Sequence, residues 1–292
     1  LELVAGSGVG RLLDSGAPCL SAYAHDLLTW NLRPWLLPGR RLELQLLIPE
    51  GARLAARTSN AAFGVVEGLA LIGTQAAVQR SAAPDRLEEA LAELRHRAAT
   101  PDFGGDLVLV IGENGLDLAP RLGLPKELLL KAGNWIGPLL VAAAEAGVRR
   151  LLLFGYQGKL IKLAAGIFHT HHHLADGRAE VLTALAALEG LTGSALEALH
   201  RAATVEEAMA DLSRRQPLLA DRLRGRIAAE IERRSDLYLE RHGLPAGPHT
   251  MAVGAVLFDR SRRICAEGPV GALLLRERRS DVGAAGPVGG DF

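Results

Sequence analysis

Between Arg149 and Glu180 the chain sets glycines, ammonium groups and imidazoles at spacings that could bind and orient an anionic ligand. The apolar run Leu151-Leu152-Leu153-Phe154 stops at Gly155, and a helical pattern begins beyond Gly158, which predicts a strand, a tight turn and a helix. Glycines in such a turn let backbone amides approach a ligand, and a helix start offers unpaired N–H groups and a positive dipole end. Lys159 and Lys162 add full positive charges beside it. The segment then runs into His169-Thr170-His171-His172-His173 and the turn Asp176-Gly177-Arg178. A purely structural segment rarely needs so many titratable groups together.

Each of these residues also has a plainer reading. Leu160, Leu163, Ala164, Ile167 and Phe168 form the stripe of a core-facing helix, and one more helical step puts His171 on the buried face. On a helix His169, His172 and His173 share a side; in extended chain His169, His171 and His173 do. No cysteine lies nearby, H-E-x-x-H is absent, and adjacent ligands seldom close a tetrahedron, so a protein-held metal is not expected. Asp176 reads as the cap of a helix starting near Arg178, or as a catalytic carboxylate. Gly112-Glu113-Asn114-Gly115 follows another apolar run and is expected to be a loop where an α/β sheet meets its ligand, or an ordinary turn. Gly155-Tyr156-Gln157-Gly158-Lys159 matches neither a P-loop nor G-x-G-x-x-G, so ATP and NAD lack support. Gly6, Gly8 and Gly10 before Arg11 suit turn geometry. Arg57-Thr58-Ser59-Asn60 clusters a guanidinium, two hydroxyls and an amide, which suit a carboxylate or phosphate or simply a capped turn.

The elements that must hold these groups follow from periodicity. A helix is expected from Ser21 to Trp35, a one-sided strand through Leu42, Leu44 and Leu46, and an amphipathic helix from Pro84 to Ala98. Thr100 to Gly105 reads as a linker. Beyond it strand and helix alternate: Leu107–Ile111, a helix around Trp135–Ala146, Leu151–Phe154, then helices from Arg178 to His242 and a late strand at Met251–Phe258. Alternation implies a small, mainly parallel sheet. The expectation is therefore α+β followed by α/β: a partial N-terminal α+β domain over 1–103, an α/β domain with a helical extension and late strand over 104–270, and a disordered tail over 271–292, where Gly, Ala, Pro and Val lose all period from Glu277 on.

Composition narrows the partners. With 292 residues, 49% of them apolar, the chain is long enough for a sizeable core. Only 4% are aromatic and the formal net charge is zero, which argues against nucleic acid. Two cysteines, Cys19 and Cys265, are too few for a disulfide framework and suit a reducing compartment, so a cytoplasmic location is expected. No apolar stretch has the roughly eighteen residues of a membrane span. A homo-oligomer is left open.

Taken in order, Gly6-Ser7-Gly8-Val9-Gly10-Arg11, Arg57-Thr58-Ser59-Asn60, Leu71-Ile72-Gly73-Thr74, Gly158-Lys159-Leu160-Ile161-Lys162-Leu163-Ala164, Thr170-His171 and Ala175-Asp176-Gly177-Arg178 resemble the cobalt-precorrin-5B C(1)-methyltransferases of anaerobic cobalamin synthesis, the CbiD family. The likeness runs from Leu1 to Leu188 and more weakly into the later helices. It departs at Ala76, where the family has glycine, at Tyr156, where it has histidine, and at His169-Thr170-His171-His172, where it has Asn-Thr-His-Ser; the family's usual Gly-, Thr- and Ala-rich opening is also absent, so a truncated chain is expected. The resemblance implies methyl transfer from S-adenosyl-L-methionine to carbon 1 of cobalt-precorrin-5B, giving cobalt-precorrin-6A, with cobalt carried by the substrate. It further implies that Arg57, Lys159, Lys162 and Arg178, with Thr58 and Asn60, clamp substrate carboxylates. His171 and Asp176 would serve catalysis, and the segments bearing Gly112, Asn114, Gly115, Gly155 and Gly158 would admit the donor. The alternatives are a non-enzymatic tetrapyrrole- or metal-binding protein and an inactive truncated family member.

Overall fold

The computed structural model describes residues 1–56, 58, 60–61, 64–71, 84–171, 174–244 and 251–284. They form two compact units, Leu1–Arg80 and Ser81–Phe292.

In the first unit the elements are β1 (Glu2–Ala5), β2 (Gly8–Val9), β3 (Arg11–Leu12), α1 (Ala22–Leu32), β4 (Glu43–Leu46), α2 (Gly51–Ala55), β5 (Val65–Val66) and β6 (Gly68–Leu69). Three two-stranded ribbons result: β1 with β4 and β2 with β6, both parallel, and β3 with β5, antiparallel. Alternating exposure along β4 follows the Glu-Leu-Gln-Leu pattern. Helix α1 starts at Ser21, whose hydroxyl accepts from the Ala24 amide at 3.0 Å, and passes into a 3₁₀ turn at Arg33–Trp35. Gly8, at φ +75°, meets Gly51 and Gly68 so closely that a Cβ on either would lie 2.1 Å from the Gly8 carbonyl oxygen. Those glycines are there for backbone contact. Arg11 is likewise engaged internally, donating to the Ala5 and Gly16 carbonyls and pairing with Glu67 at 3.0 Å.

The second unit comprises α3 (Pro84–Ala98), β7 (Asp106–Ile111), α4 (Glu113–Arg121), β8 (Leu129–Lys131), α5 (Ile136–Glu145), β9 (Arg150–Tyr156), α6 (Gln157–Ala164), α7 (Arg178–Leu188), α8 (Gly193–Arg201), α9 (Val205–Arg215), α10 (Pro217–Arg241), β10 (Ala252–Phe258), β11 (Ile264–Glu267) and α11 (Pro269–Ala284). The sheet order is β11-β10-β9-β7-β8, parallel except for the antiparallel edge strand β11. Strand period 2 sorts β7 between two cores: Leu107, Leu109 and Ile111 pack in the one that includes residues of α5, α6 and α10, Val108 and Val110 in the one that includes residues of α4 and α11. This is the helix-covered parallel sheet that alternation implied.

Several expectations need correction. Leu94 of α3 is 1% exposed in the first of these cores, and Arg97 donates to the Glu127 and Leu129 carbonyls at 3.0 and 2.8 Å, so this helix lies in the second unit and the division falls at Arg80/Ser81, before the expected linker. The expected tail from 271 is helical as far as Ala284, because Leu274 and Leu275 bury against the sheet; 285–292 lie outside the described residues. The glycine loop at 112–115 is one residue long, since α4 begins at Glu113. At 155–158 there is no turn at all: β9 ends at Tyr156 and α6 begins at Gln157.

One buried acid ties three elements together. Glu232, 5% exposed in α10, accepts from the amides of Ala255, Val270 and Gly271 at 3.0, 3.1 and 2.8 Å, holding β10 to the first turn of α11. Burial pushes its carboxyl above the usual range, against the pull of those three donors.

Candidate active site

From β7 the chain goes to β8 on one side and then to β9 on the other, so connections diverge between β7 and β9. Open α/β sheets bind ligands at the carboxyl ends of strands beside such a divergence. Gly112 caps α4 there at φ +99°, with nothing within 4 Å of where a Cβ would stand. The other glycines are filled by their own surroundings. A Cβ on Gly115 would meet Val110 at 2.6 Å, on Gly155 it would meet Ile111 at 3.0 Å, and on Gly158 the Tyr156 ring at 2.7 Å. They permit close packing of strand and helix. Asn114 accepts a hydrogen bond from Arg262 at 3.0 Å.

The direct join of β9 to α6 places Lys159 within the first turn of the helix. Its ammonium donates to the Gly133 carbonyl at 3.2 Å in the loop after β8. Burial, then the neighbouring ammonium groups of Lys162 and Lys131, lower its pKa to about 8, with Glu113 opposing. Glu113 itself pairs with Lys131. Lys162 lies one turn further along α6 and is 2% exposed. It donates to the carbonyls of Thr170 and Ala175 at 3.2 and 2.7 Å, which pins the segment between α6 and α7. Burial lowers its pKa as well. Lys162 is therefore a strut within this site, whereas Lys159 keeps donors to spare.

Helix α6 ends at Ala164, so His169 and His171 lie beyond it and the helical step expected for His171 does not occur. His169 bridges Trp135 across the strand ends, with the two rings edge to face at 4.1 Å. Both ring nitrogens of His169 and the indole nitrogen of Trp135 are enclosed without a hydrogen-bond partner. Burial depresses the His169 pKa. Thr170, 3% exposed, is fixed by Asn134 through its amide at 3.0 Å and its hydroxyl at 3.1 Å. His171 follows, with ring centroids 6.4 Å from His169. His172 and His173 lie outside the described residues, and among the described ones no three His, Cys, Asp or Glu groups gather as a metal set.

Asp176 and Arg178 form a two-pronged ion pair at 2.6 and 2.7 Å. The guanidinium holds the Asp176 carboxyl below the usual range. Asp176 also accepts from the Arg178 amide at 3.4 Å, but the cap position of α7 is Gly177, so Asp176 stands one residue ahead of the cap expected of it. A cavity of about 240 Å³ opens beside this pair, between the first turns of α7 and α9 and the end of α8. Next to it Glu206 joins the end of β9, accepting from Gln157 at 2.7 Å and hydrogen bonding to the Tyr156 hydroxyl. Burial, then Glu206, raises the Tyr156 pKa.

The structure thus brings together Lys159, Lys162, His171, Asp176 and Arg178. Thr58 and Asn60 belong to the first unit and serve their own turn: the Thr58 hydroxyl donates to Ala55 at 2.7 Å and accepts from the Asn60 amide at 3.2 Å, and the Asn60 side chain donates to Gly68 at 3.3 Å. Arg57 lies outside the described residues. Sequence reasoning missed Asn134, Trp135 and Glu206. The three-residue strand β8 is too short to show a period, although its exit into Gly133-Asn134 repeats the pattern of the other strands. Nothing local links Glu206 to Gln157.

Comparison with known proteins adds the family. The model described as CbiD matches residues 1–80, and the one described as CbiD, C-terminal domain, matches 169–269. A cobalt-precorrin-5B C(1)-methyltransferase of Prochlorococcus marinus (strain MIT 9303) is 56% identical over 94% of this chain and 70% of its own length. The protein of that name from Synechococcus sp. (strain CC9605) is 60% identical over 92% of this chain and 71% of its own. The chain belongs to the CbiD family. A crystal structure of cobalamin biosynthesis protein (cbiD) from Archaeoglobus fulgidus is 18% identical with a TM-score of 0.40, covering 59% of this chain and 56% of that one. Within the family segment 169–269 fall His169, His171, Asp176, Arg178 and Glu206, while Lys159 and Lys162 lie just ahead of it.

Proposed function

We propose that this chain is a methyltransferase acting on carbon 1 of cobalt-precorrin-5B, with S-adenosyl-L-methionine as donor and cobalt-precorrin-6A as product. Relatives of that name at 56% and 60% identity support the reading, and the observation in the structure that carries it is the half-buried ammonium of Lys159 at the carboxyl edge of the sheet. The substrate's acetate and propionate arms are carboxylates, and a partly desolvated ammonium binds such a group more strongly than one in open water. The cobalt ion belongs to that substrate.

The donor supplies an already activated methyl group, so the protein's task is positioning. Lys159 clamps a carboxylate. Arg178, fixed by Asp176, presents a second cationic plane, while Lys162 keeps the 170–175 segment in place from beneath. His171 orients the macrocycle or holds a proton, and Asp176 serves catalysis with its charge maintained by Arg178. Room for the donor fits the open space at Gly112 and the cavity beside Asp176; Gly115, Gly155 and Gly158 shape the packing behind them. Arg57, Thr58 and Asn60 are assigned to substrate carboxylates only through the family motif.

The test is direct: incubate the chain with cobalt-precorrin-5B and methyl-labelled donor, and locate the label by mass spectrometry and NMR. Label on carbon 1 is expected. Tight stoichiometric tetrapyrrole or cobalt binding with no labelled product would replace this reading with that of a binding protein.

A further inference from the structure

We infer that the cavity between the first turns of α7 and α9 is the methyl-donor site, taking the nucleoside half of a cationic sulfonium ligand. The assignment rests on the methyl-transfer reading above. Its walls include Leu182, Leu199 and Val205, which suit a purine face, and its rim carries Asp176, Arg178 and Glu180. Carboxylates accept hydrogen bonds from a ribose diol, and Asp176 retains acceptor capacity beyond the three bonds it takes from Arg178. Two acids against one guanidinium leave the rim net negative, which favours a ligand bearing a sulfonium and an ammonium.

Size and place agree. At about 240 Å³ the cavity is smaller than the roughly 300–1,000 Å³ of pockets that enclose a whole small ligand, so it is assigned the nucleoside alone, with the amino-acid arm at the open rim. Val205 in its wall is followed by Glu206, bound to Gln157 at the start of α6, and Asp176 in its rim is one residue from Ala175, whose carbonyl holds Lys162. Donor cavity and basic cluster therefore share the segment between α6 and α7, as transfer between two bound molecules requires. A larger groove of about 460 Å³ lies along α8 and α9, lined by Ser194, Ala198, Leu212 and Arg215, and it includes no residue of the strand ends or of that segment. It shares Leu199 and Ala202 with the smaller cavity, but a donor there would touch neither Asp176 nor Arg178.

Binding of S-adenosyl-L-methionine and of neutral S-adenosyl-L-homocysteine, measured by calorimetry with and without the cobalt substrate, tests the assignment. Ala203→Trp, which fills the cavity from an exposed position, should weaken both ligands by about tenfold or more. Ala198→Trp in the larger groove should leave both unchanged. Glu180→Gln should narrow the preference for the sulfonium over the thioether. Normal affinity in a folded Ala203→Trp protein overturns the cavity assignment, and labelled transfer by the unaltered chain would then leave the methyltransferase reading standing. Absence of donor binding in the unaltered chain overturns both.

Discussion

Lys159 combines two conditions that pull against each other, since burial and nearby ammonium groups favour its neutral form while a substrate carboxylate would favour its charged form. With a pKa of about 8, the free protein carries the charge at neutral pH and loses it on mild alkalinisation. Affinity for cobalt-precorrin-5B should therefore fall as pH rises through about 8. Lys159→Arg, whose guanidinium stays charged throughout, should hold its affinity up to pH 9. Equal pH profiles for the two proteins, measured by fluorescence or absorbance titration, would remove Lys159 from the substrate contacts. Both lysines follow Gly158 within four residues, so the sequence marked them alike. Burial separates them, because Lys162 faces two carbonyls at 2% exposure whereas Lys159 makes one such bond at the site's edge.

Among the elements, α11 shows how a single side chain can secure a helix whose sequence reads as tail. Its first-turn amides at Val270 and Gly271 end on Glu232, and a Cβ on Gly271 would lie 2.3 Å from the Ala255 carbonyl. Glu232→Ala would strand three buried donors, at a cost of about 3 kcal/mol in urea unfolding. Hydrogen exchange at Val270 and Gly271 should accelerate. A loss below about 0.5 kcal/mol, within the range of an ordinary surface change, would show that water or another group replaces the carboxylate. Strands β7, β9 and β10 were legible because apolar runs of four to eight residues bounded by glycines or turns have few other uses in such a chain. Strands β8 and β11 and helix α11 were not, since their burial depends on partners far along the sequence: Leu129 and Leu130 on β7, Glu267 on Val256, Gly271 on Glu232. The site was half visible for the same reason. Its basic residues sit in one contiguous segment, but Asn134 and Glu206 reach it only through the fold.

For the molecule as a whole, the depressed lysines make stability depend on pH. Unfolded, a lysine holds its proton to about 10.5, whereas Lys159 in the folded chain gives it up near 8. Between those values the unfolded state binds more protons, so stability should increase with pH, Lys162 acting in the same direction. From about 9 the raised pKa of the partly buried Cys265 thiol, and above about 10 that of Tyr156, oppose the trend, because the unfolded thiol and phenol ionise first. Urea midpoints between pH 7.5 and 9.5 should climb, and Lys159→Met should flatten the climb; a flat profile in the unaltered chain would contradict the burial described. The seamless passage from Tyr156 to Gln157 carries a last consequence. With no slack residue between core strand and helix, a one-residue insertion or deletion at that junction would swing every later α6 side chain by about 100°. Lys159 would be turned away from Gly133 and Lys162 out of its carbonyl pair at once, so this stretch of the lineage's chain should accept substitutions far more readily than changes in length.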